Sequence, residues 1–320
     1  MFIRGEQAGV VQYNRHAMSL RPKAGMPALV VLLVGNLAFP ETAQSPTTLP
    51  ITRVRNAIFV QATIEDTPVK LLVDSGASTS LILDRTVANR MGLSTKAHQN
   101  LKGAGKDACP ASRLPETGVK LGHRTVPAPD AFASDLAPIA SFLKHPVDGV
   151  IGGELFRGQI VTLDFSRDLL LLSAHRNDSP QQLVVPMVSL GGLCCAIEAE
   201  LEVNGRTIRG KFVLDTGAPT IALALTRSFA DKMKLLPNEK LQPVIRLPAL
   251  CGPSQLGKFP SQVSLRLGDR QFPVGLWIGL DREGSLNEAR FDGVLGGEFF
   301  ARFREVTFDA AGKRLILKSE

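Results

Sequence analysis

The sequence contains one short pattern twice: "KLLVDSGAST" runs from Lys70 to Thr79, and "KFVLDTGAPT" runs from Lys211 to Thr220. In both copies an apolar segment ends at Asp, which is followed by a hydroxyl residue, Gly and Ala. Glycine adopts positive φ angles without steric cost, so the pattern predicts a strand that ends in a tight turn. Turns of this kind are common, and one copy alone would indicate only a turn. The repetition is the informative feature.

Other segments recur at nearly the same spacing as Asp74 and Asp215, which lie 141 residues apart. The recurring pairs are "RTVANRMGL" at 85–93 and "RSFADKMKL" at 227–235, "DGVIGGELF" at 148–156 and "DGVLGGEFF" at 292–300, and "VTLDF" at 161–165 and "VTFDA" at 306–310, with offsets of 142, 144 and 145 residues. All four pairs keep the same order, and small loop insertions account for the drift. The chain is therefore predicted to be a tandem repeat of one domain.

The repeat predicts a mostly β protein with two homologous lobes. We place the N-terminal lobe at 55–175, the C-terminal lobe at 183–320 and a polar linker at 176–182. Each lobe begins with a strand in which apolar and polar residues alternate. A turn, at Glu65–Asp66 in the first lobe and at Asn204–Gly205 in the second, then predicts a hairpin.

A short helix is predicted after each of the two repeated turns. Asp84 and Thr226 are suitable N-caps, because their side-chain oxygens can accept hydrogen bonds from the first helical N–H groups. The Gly- and Pro-rich segments that follow, around 94–118 and 237–260, are predicted to have little regular structure. Further strands, the Asp-Gly-Val element and a closing hairpin complete each lobe.

Residues 1–43 have the character of an export signal. The apolar stretch 24–39 follows two basic residues and precedes small and polar ones, and it is shorter than the roughly 20 residues that a spanning helix needs. We predict a signal peptide that is cut near Ala43, an exported protein in the periplasm or outside the cell, and a linker at 44–54. An uncleaved membrane anchor through the same stretch is the alternative, and Met18 is an alternative start.

Composition argues against several classes of function. The formal net charge is +7, but the Lys and Arg residues are scattered, so nucleic-acid binding is not expected. Apolar residues make up 44% and charged residues 21%, which is typical of a soluble globular protein. The five His residues show no ligand spacing and there is no Cys-x-x-Cys pair, so we predict no metal site and no cofactor.

The pairing of the four cysteines stays open. Cys109 and Cys251 fall in the two segments of low regularity, where a disulfide between the lobes and two separate thiols both fit the sequence. Cys194 and Cys195 begin a predicted strand, where neighbouring side chains point to opposite faces. In an oxidising compartment the four residues could form up to two disulfides.

Two equivalent turns on homologous lobes indicate a specific chemistry. If the lobes face each other around a pseudo-twofold axis, Asp74 meets Asp215. Two carboxylates that close cannot both ionise without a large electrostatic cost, so the pair holds one proton. The ionised member can then take a proton from a water molecule while the protonated member donates to a carbonyl oxygen. Amide hydrolysis needs both of these steps.

The turns, together with the apolar-apolar-Gly elements Val150–Gly152 and Val294–Gly296, resemble the aspartic proteases. The resemblance is strongest to the bacterial retropepsin-like aspartyl protease family, in a tandem two-lobe form, and it covers most of residues 55–318. It implies two pepsin/retropepsin-like β-barrel lobes related by a pseudo-twofold axis. It also implies an aspartic endopeptidase that cuts peptide or protein substrates beside apolar residues, without a cofactor, as a monomer with an internal pseudo-dimer.

The resemblance further implies roles for the residues of both turns. It makes Asp74 and Asp215 the catalytic pair. The supporting residues of the two loops are Ser75, Gly76, Thr216 and Gly217. In such a site the hydroxyl residues hydrogen-bond across the axis and the glycines present backbone N–H groups to the carboxylates. The two apolar-Gly elements support the loops from behind.

Two departures from the family pattern bear on activity. The only Tyr is Tyr13, so a flap over the site must work without the Tyr that pepsin-like enzymes use. Ala77 and Ala218 stand where relatives that act in strong acid have Ser or Thr, whose hydroxyl donates to the ionised carboxylate. Without these donors the apparent pKa values of the pair should rise. We therefore expect activity at mildly acidic to near-neutral pH.

The other recurring acids are assigned to structure, either at helix starts or in turns. They are Glu154, Glu298, Asp148, Asp292, Asp164 and Asp309.

Two alternatives for the function remain open. One is a peptide-binding or scaffolding protein that keeps the fold without turnover. The other is a dimer in which each lobe pairs with its equivalent in a second molecule.

Overall fold

The described part of the chain is built mainly from β-strands. The computed structural model describes residues 45–93, 98–103, 105, 107–157, 159–174, 182–236, 241–281 and 290–319. All of them belong to one compact unit, Ala43–Glu320. Among these residues, none of the helices has the length and apolar character that crossing a membrane requires. The predicted signal at 1–43 and all but the last residue of the predicted linker at 176–182 lie outside the described residues.

The first half of the described chain, called the N-half below, consists of strands joined by short helices. Its strands are β1 (Thr47–Val54), β2 (Ala57–Ile64), β3 (Thr67–Val73), β4 (Leu81–Asp84), β5 (His98–Lys102), β6 (Ala108–Arg113), β7 (Thr117–Leu121), β8 (Arg124–Ala128), β9 (Ala131–Ser134), β10 (Gly149–Ile151), β11 (Ile160–Asp164) and β12 (Leu169–Ser173). Its helices are α1 (Arg85–Arg90), α2 (Ala137–Leu143) and α3 (Gly153–Arg157). Helices this short depend on packing for their stability.

The second half, called the C-half, repeats the order of the strands. Its strands are β13 (Gln182–Leu190), β14 (Leu193–Val203), β15 (Arg206–Asp215), β16 (Leu223–Leu225), β17 (Val244–Ala249), β18 (Gly252–Lys258), β19 (Val263–Leu267), β20 (Arg270–Val274), β21 (Leu276–Gly279), β22 (Gly293–Gly296), β23 (Glu305–Asp309) and β24 (Arg314–Lys318). Its helices are α4 (Arg227–Lys232) and α5 (Gly297–Phe300).

Two tight hairpins lead to the repeated turns, as the alternating pattern predicts. Glu65 and Asp66 join β2 to β3 with φ angles of 44° and 60°, and Asn204 and Gly205 join β14 to β15 with 50° and 71°. Positive φ at both central residues matches the right-handed twist of the flanking strands, which makes such two-residue loops the commonest hairpin connections.

The two predicted N-caps are also present. Asp84 Oδ1 accepts a hydrogen bond of 2.9 Å from Thr86 N–H at the start of α1, and Thr226 Oγ1 accepts one of 3.2 Å from Phe229 N–H at the start of α4. Each cap satisfies a backbone donor that the first turn would otherwise leave without a partner.

The strand orders of the two halves correspond one to one. In the N-half the order is β1-β2-β3-β10-β4-β9-β6-β5, and the β7–β8 hairpin joins β2. In the C-half it is β13-β14-β15-β22-β16-β21-β18-β17, and the β19–β20 hairpin joins β14. Parallel and antiparallel pairs match as well. The prediction of two homologous, mostly β lobes related by a pseudo-twofold axis is confirmed.

A six-stranded antiparallel sheet connects the halves, in the order β1-β12-β11-β23-β24-β13. Its centre is the β11–β23 pair, in which Thr162 lies opposite Thr307 and their hydroxyl oxygens are 2.8 Å apart. The pseudo-twofold axis therefore passes between these two threonines.

Aromatic side chains fill the core above this sheet. Phe156 of α3 and Phe300 of α5 occupy equivalent positions, and both contact Phe308 of β23 with ring centroids 5.1 and 5.8 Å away. All three are fully buried. Burying one such side chain contributes about 1.5–3 kcal/mol. The core is thus continuous between the two halves.

Residues 47–54, which the sequence analysis assigns to a linker, are a strand instead. β1 pairs with β12 through its first part and with β2 through its second. Thr47, Leu49 and Ile51 are buried and the residues between them are exposed. This period-two pattern is what a strand with one buried face requires, and Pro50 between them obscured it in the sequence.

The prediction of little regular structure around 94–118 and 237–260 is also wrong. The strands β5 and β6 form one hairpin, and β17 and β18 form another. Both contain Pro, which is depleted in strands because it cannot donate a ladder hydrogen bond. Pairing with β9 and β21 nevertheless anchors the two hairpins in their sheets.

Candidate active site

Each predicted catalytic residue lies at the end of a central strand. Asp74 directly follows β3, and Asp215 is the last residue of β15. The apolar-Gly strands β10 and β22 run parallel to β3 and β15 and lie behind the two loops. Asp74 N–H donates to the carbonyl of Ile151 at 3.0 Å, and Asp215 lies opposite Gly296 in the register. The loops are therefore fixed to the sheets of their own halves.

The two loops are also bonded to each other through Ser75 and Thr216, which are fully buried. Ser75 N–H donates to Thr216 Oγ1 at 3.0 Å, and Thr216 N–H donates to Ser75 Oγ at 3.1 Å. In turn, Ser75 Oγ–H donates to Leu214 O at 2.8 Å and Thr216 Oγ1–H to Val73 O at 2.7 Å. The four bonds form a symmetrical network across the axis, so neither loop can shift without the other.

This network brings the carboxyl groups of Asp74 and Asp215 into direct hydrogen-bond contact. Asp74 Oδ1 accepts hydrogen bonds from Gly76 N–H at 2.9 Å and from Ala77 N–H at 3.0 Å. The corresponding N–H groups of Gly217 and Ala218 hydrogen-bond to the carboxyl group of Asp215 and lower its pKa. Both carboxyl groups therefore have backbone donors that favour the charged form.

The two glycines have a steric role that the sequence analysis did not predict. A Cβ atom at Gly76 would lie 2.6 Å from Cγ of Asp215, and one at Gly217 would lie 2.4 Å from Cγ of Asp74. Each glycine thus packs against the carboxyl group of the opposite half. Its lack of a side chain lets the two carboxyl groups approach each other.

The pKa values of both aspartates lie above the ordinary value for Asp. Burial is the largest cause for each, because the charged form loses its hydration. The pKa of Asp215 is raised well above that value, since the neighbouring Asp74 charge and the hydrogen bond between them act in the same direction. For Asp74 the hydrogen bonds from Asp215, Gly76 and Ala77 oppose burial. The two carboxyl groups therefore hold one proton between them.

Both aspartates line a cavity of about 520 Å³, within the usual range for ligand sites. Apolar side chains from both halves surround them. They include Leu72, Ile82 and Phe142 from the N-half and Val213, Ile221 and Phe291 from the C-half. The lining can hold an apolar ligand, and the two carboxyl groups are polar groups that would orient it.

Two hairpins cover this cavity, and we call them the N-flap (98–113) and the C-flap (244–258). Residues of both line the cavity. Cys109 and Cys251 form a disulfide that joins the two flaps. Of the two alternatives left open by the sequence, a disulfide between the lobes and two separate thiols, the structure contains the disulfide. Cys195 is buried, and the side chain of Cys194 lies outside the described residues.

The recurring acids that were assigned to structure do serve it. Asp148 Oδ2 accepts a hydrogen bond from Lys70 N–H, and Asp292 Oδ2 accepts one from Lys211 N–H, both at 2.8 Å. Glu154 and Glu298 lie in the first turns of α3 and α5, and Asp164 and Asp309 are buried acceptors of turn N–H groups. None of these six carboxylates lines the cavity with the dyad.

Sequence reasoning left the contact between the flaps undecided, although one signal could have settled it. Cys109 and Cys251 are 142 residues apart, which matches the offset of the repeat. Equivalent residues near a twofold axis lie close together, so this spacing favours the disulfide over two thiols. No signal indicated that Asn56 Nδ2 would donate to Pro219 O, a 3.2 Å bond between the halves.

Within the described residues no group of three or more His, Cys, Asp or Glu side chains is arranged to hold a metal ion.

Residues 60–155 match the family model described as "Aspartyl protease". This segment contains Asp74 and the Val150–Gly152 element. The whole structure is similar to the crystal structure of an aspartic proteinase from Irpex lacteus, with a TM-score of 0.50 and 15% sequence identity over 86% of this chain and 97% of that chain. At this identity the likeness shows the fold, which is that of a pepsin-like aspartic proteinase. A comparison with curated protein sequences finds no match. The family match and the fold together support a hydrolase of the protease class.

Proposed function

We propose that this protein is an aspartic endopeptidase that hydrolyses peptide bonds with a water molecule activated between Asp74 and Asp215. One observation carries the proposal: two half-buried, hydrogen-bonded carboxyl groups with raised pKa values lie in a cavity lined mainly by apolar side chains. Carboxyl pairs whose environments separate their pKa values are suited to act as base and acid.

One member of the pair is ionised and the other holds the shared proton. The ionised member removes a proton from the water, and the protonated member donates its proton to the carbonyl oxygen of the scissile bond. The product of this step is a neutral gem-diol, and proton transfer to the amide nitrogen then breaks the C–N bond.

The network of Ser75 and Thr216 contributes by holding both carboxyl groups in position before the substrate arrives. Pre-organisation of this kind lowers the barrier because no reorganisation is needed during the reaction. The apolar cavity favours an extended peptide with apolar residues beside the scissile bond. The flaps above it contain no Tyr, so they act through backbone and apolar contacts.

We propose that the active unit is a monomer of the bacterial retropepsin-like type in tandem form. The one-to-one correspondence of strands and the single acidic pair at the axis support it, because one chain supplies both equivalent halves of the site. A dimer made of equivalent lobes from two molecules would show activity that rises with the square of concentration.

We also propose that the protein is exported to the periplasm or the cell exterior, with residues 24–39 as signal or, if uncleaved, as tether. The Cys109–Cys251 disulfide supports this proposal, because structural disulfides persist in oxidising compartments. Fractionation of expressing cells shows whether the protein is exported. The N-terminal residue of the product then shows whether residues 24–39 are cleaved off as a signal or kept as a tether.

The proposed activity is tested with the protein purified from residue 44 onwards and a diverse pool of peptides. Cleavage should be present in the natural sequence, absent in Asp74→Asn and in Asp215→Asn, and blocked by a statine-type transition-state mimic. Asp66→Asn is the matched control, because it makes the same chemical change at an exposed hairpin turn.

A peptide-binding protein without turnover gives a different result. In that case peptides bind to the natural sequence and to both active-site variants alike, and none of the three cuts the pool. Such an outcome would refute the proposed peptidase.

A further inference from the structure

The two flaps meet at their tips above the active-site pair. Gly105 N–H donates to Leu250 O at 3.3 Å, and Asp107 N–H donates to Cys251 O at 3.0 Å. A Cβ atom at Gly103 would lie 2.1 Å from the carbonyl oxygen of Leu250. The backbones of the two tips are therefore in direct contact, with no space between them for another chain.

The disulfide makes this contact covalent. The Cα atoms of Cys109 and Cys251 are 4.7 Å apart, which is the distance between neighbouring strands of a sheet. A peptide with its side chains needs about twice that width, as the roughly 10 Å spacing of packed sheets indicates. As long as the bond is intact, no segment of a polypeptide can enter the cavity by passing between the flaps.

Packing also holds the joined tips against the N-half. Cys251 is buried, and it lies with Leu101 and Phe132 in one hydrophobic cluster against which Leu250 packs. Helix α2 of the N-half contacts β17 of the C-flap. The C-flap therefore cannot lift by itself, and both flaps would have to move as one body.

The cavity nevertheless reaches solvent. Its lining includes Asn100 and Lys102 on the N-flap, Gly191 in the turn between β13 and β14, and Arg290 before β22, and all four are exposed. These exposed residues belong to different elements of the two halves. A chain can reach the pair through such openings without parting the flaps.

We propose that the Cys109–Cys251 disulfide makes the active-site cleft a closed passage, so that its substrates are unfolded polypeptides that enter with a free end. The inference rests on the proposed peptidase function and specifies its substrate class. A segment in the middle of a chain whose two ends are folded domains is excluded, whereas an unfolded tail of a folded protein is accepted.

The test uses three substrates that share one unstructured linker with an apolar central segment. The linker is free at both ends, attached to a folded domain at one end, or attached to a folded domain at each end. The disulfide-bonded protein should cut the first two substrates. With the third its rate should fall to the background measured with Asp74→Asn. The Cys109→Ser/Cys251→Ser double variant should cut all three, and the ratio of the third rate to the second is the decisive readout.

Chemical reduction provides a second route to the open form if the double variant folds poorly. The natural sequence treated with a phosphine reductant, with thiol formation verified by alkylation and mass measurement, should gain cleavage of the third substrate. Where the double variant does fold, the same reductant should leave its ratio of the third rate to the second unchanged. Equal rates for the second and third substrates in the disulfide-bonded protein would overturn the inference and leave the peptidase function intact.

A measurement of binding separates the two proposals. If no form cuts the free linker, the peptidase proposal fails, and the same three substrates are compared by their affinity for the disulfide-bonded protein and the double variant. Selective loss of binding for the substrate with two folded ends, restored in the double variant, supports the closed passage. Equal binding of all three substrates, or no binding of any, overturns it.

Discussion

Gly217 packs directly against the carboxyl group of Asp74, in the opposite half of the molecule, and Gly76 packs in the same way against Asp215. Neither glycine has a positive φ angle. The requirement at both positions is therefore space across the axis and not an unusual backbone conformation.

Gly217→Ala should displace Asp74 while the fold is kept. A Cβ atom 2.4 Å from Asp74 Cγ forces the side chain to move, and a misplacement of about 1 Å can reduce a rate about 10²-fold. We expect a fall in kcat of that order with a small change in Tm. The control is Gly275→Ala, where an added Cβ atom meets nothing within 4 Å. Full activity in Gly217→Ala would show that the contact is irrelevant to the chemistry.

Thr216→Val should destabilise the protein and reduce its activity together. The change removes a hydroxyl that donates to Val73 O and accepts from Ser75 N–H, and each buried group left without a partner costs about 1–3 kcal/mol. The free energy of unfolding in urea measures the loss. In a double-mutant cycle with Ser75→Ala the two effects should not be additive, because both residues belong to one network. Thr207→Val, at an exposed position of β15, is the control.

The pH dependence of activity should follow the raised pKa values of the pair. Burial disfavours the charged forms, so the rate should be highest at mildly acidic to near-neutral pH. Ala218→Ser adds a hydroxyl beside the pair and should move the acidic limb of the kcat/KM profile to lower pH, whereas Ala174→Ser, at an exposed position, should not. A profile that peaks below about pH 3 would contradict this expectation, because the pair would then ionise as easily as an ordinary Asp.

The same shifts predict an unusual effect of Asp215→Asn on stability. With pKa values raised above 3.8 in the folded state, the folded protein binds protons more tightly than the unfolded chain. Its stability therefore falls as the pH rises from that value through the raised pKa of the pair. Asp215→Asn removes this loss and should be more stable than the natural sequence at neutral pH. The difference should vanish near pH 4 in urea unfolding experiments. A variant that is less stable at neutral pH would show that the carboxyl pair does not oppose folding.

Asp164 should show the opposite dependence. Burial raises its pKa, but hydrogen bonds from Ser166 and Arg167 outweigh burial and hold the pKa below the ordinary value. Such a group stabilises the folded state above pH 3.8, and the contribution is lost as the pH falls through its lower folded-state pKa. Asp164→Asn should therefore be less stable than the natural sequence at neutral pH and approach it in acid. Equal stability at neutral pH would contradict this.

Much of the site could be predicted because it depends on a local pattern that occurs twice. The Asp-Ser/Thr-Gly turns, the N-caps Asp84 and Thr226 and the hairpin at Asn204–Gly205 are set by neighbouring residues. The repeat offset then placed the two halves in correspondence, and twofold symmetry brought equivalent loops to one axis.

The parts that could not be predicted depend on contacts between distant segments. The flap strands contain Pro110, Pro248 and Pro253, and only pairing within the hairpins and to β9 and β21 makes them strands. Strand β1 likewise owes its conformation to two partners, β12 and β2, one for each part of its length. The packing of Gly217 against Asp74 involves residues 143 positions apart, and no local propensity encodes it.

The bond between Cys109 and Cys251 also changes what a break in the backbone would do. The polypeptide between these two cysteines links the N-half to the C-half through the backbone. The disulfide is a second covalent link between the halves. A nick anywhere within that stretch would leave both pieces in a single covalent species. It would migrate as one band on a non-reducing gel and separate into two fragments only after reduction.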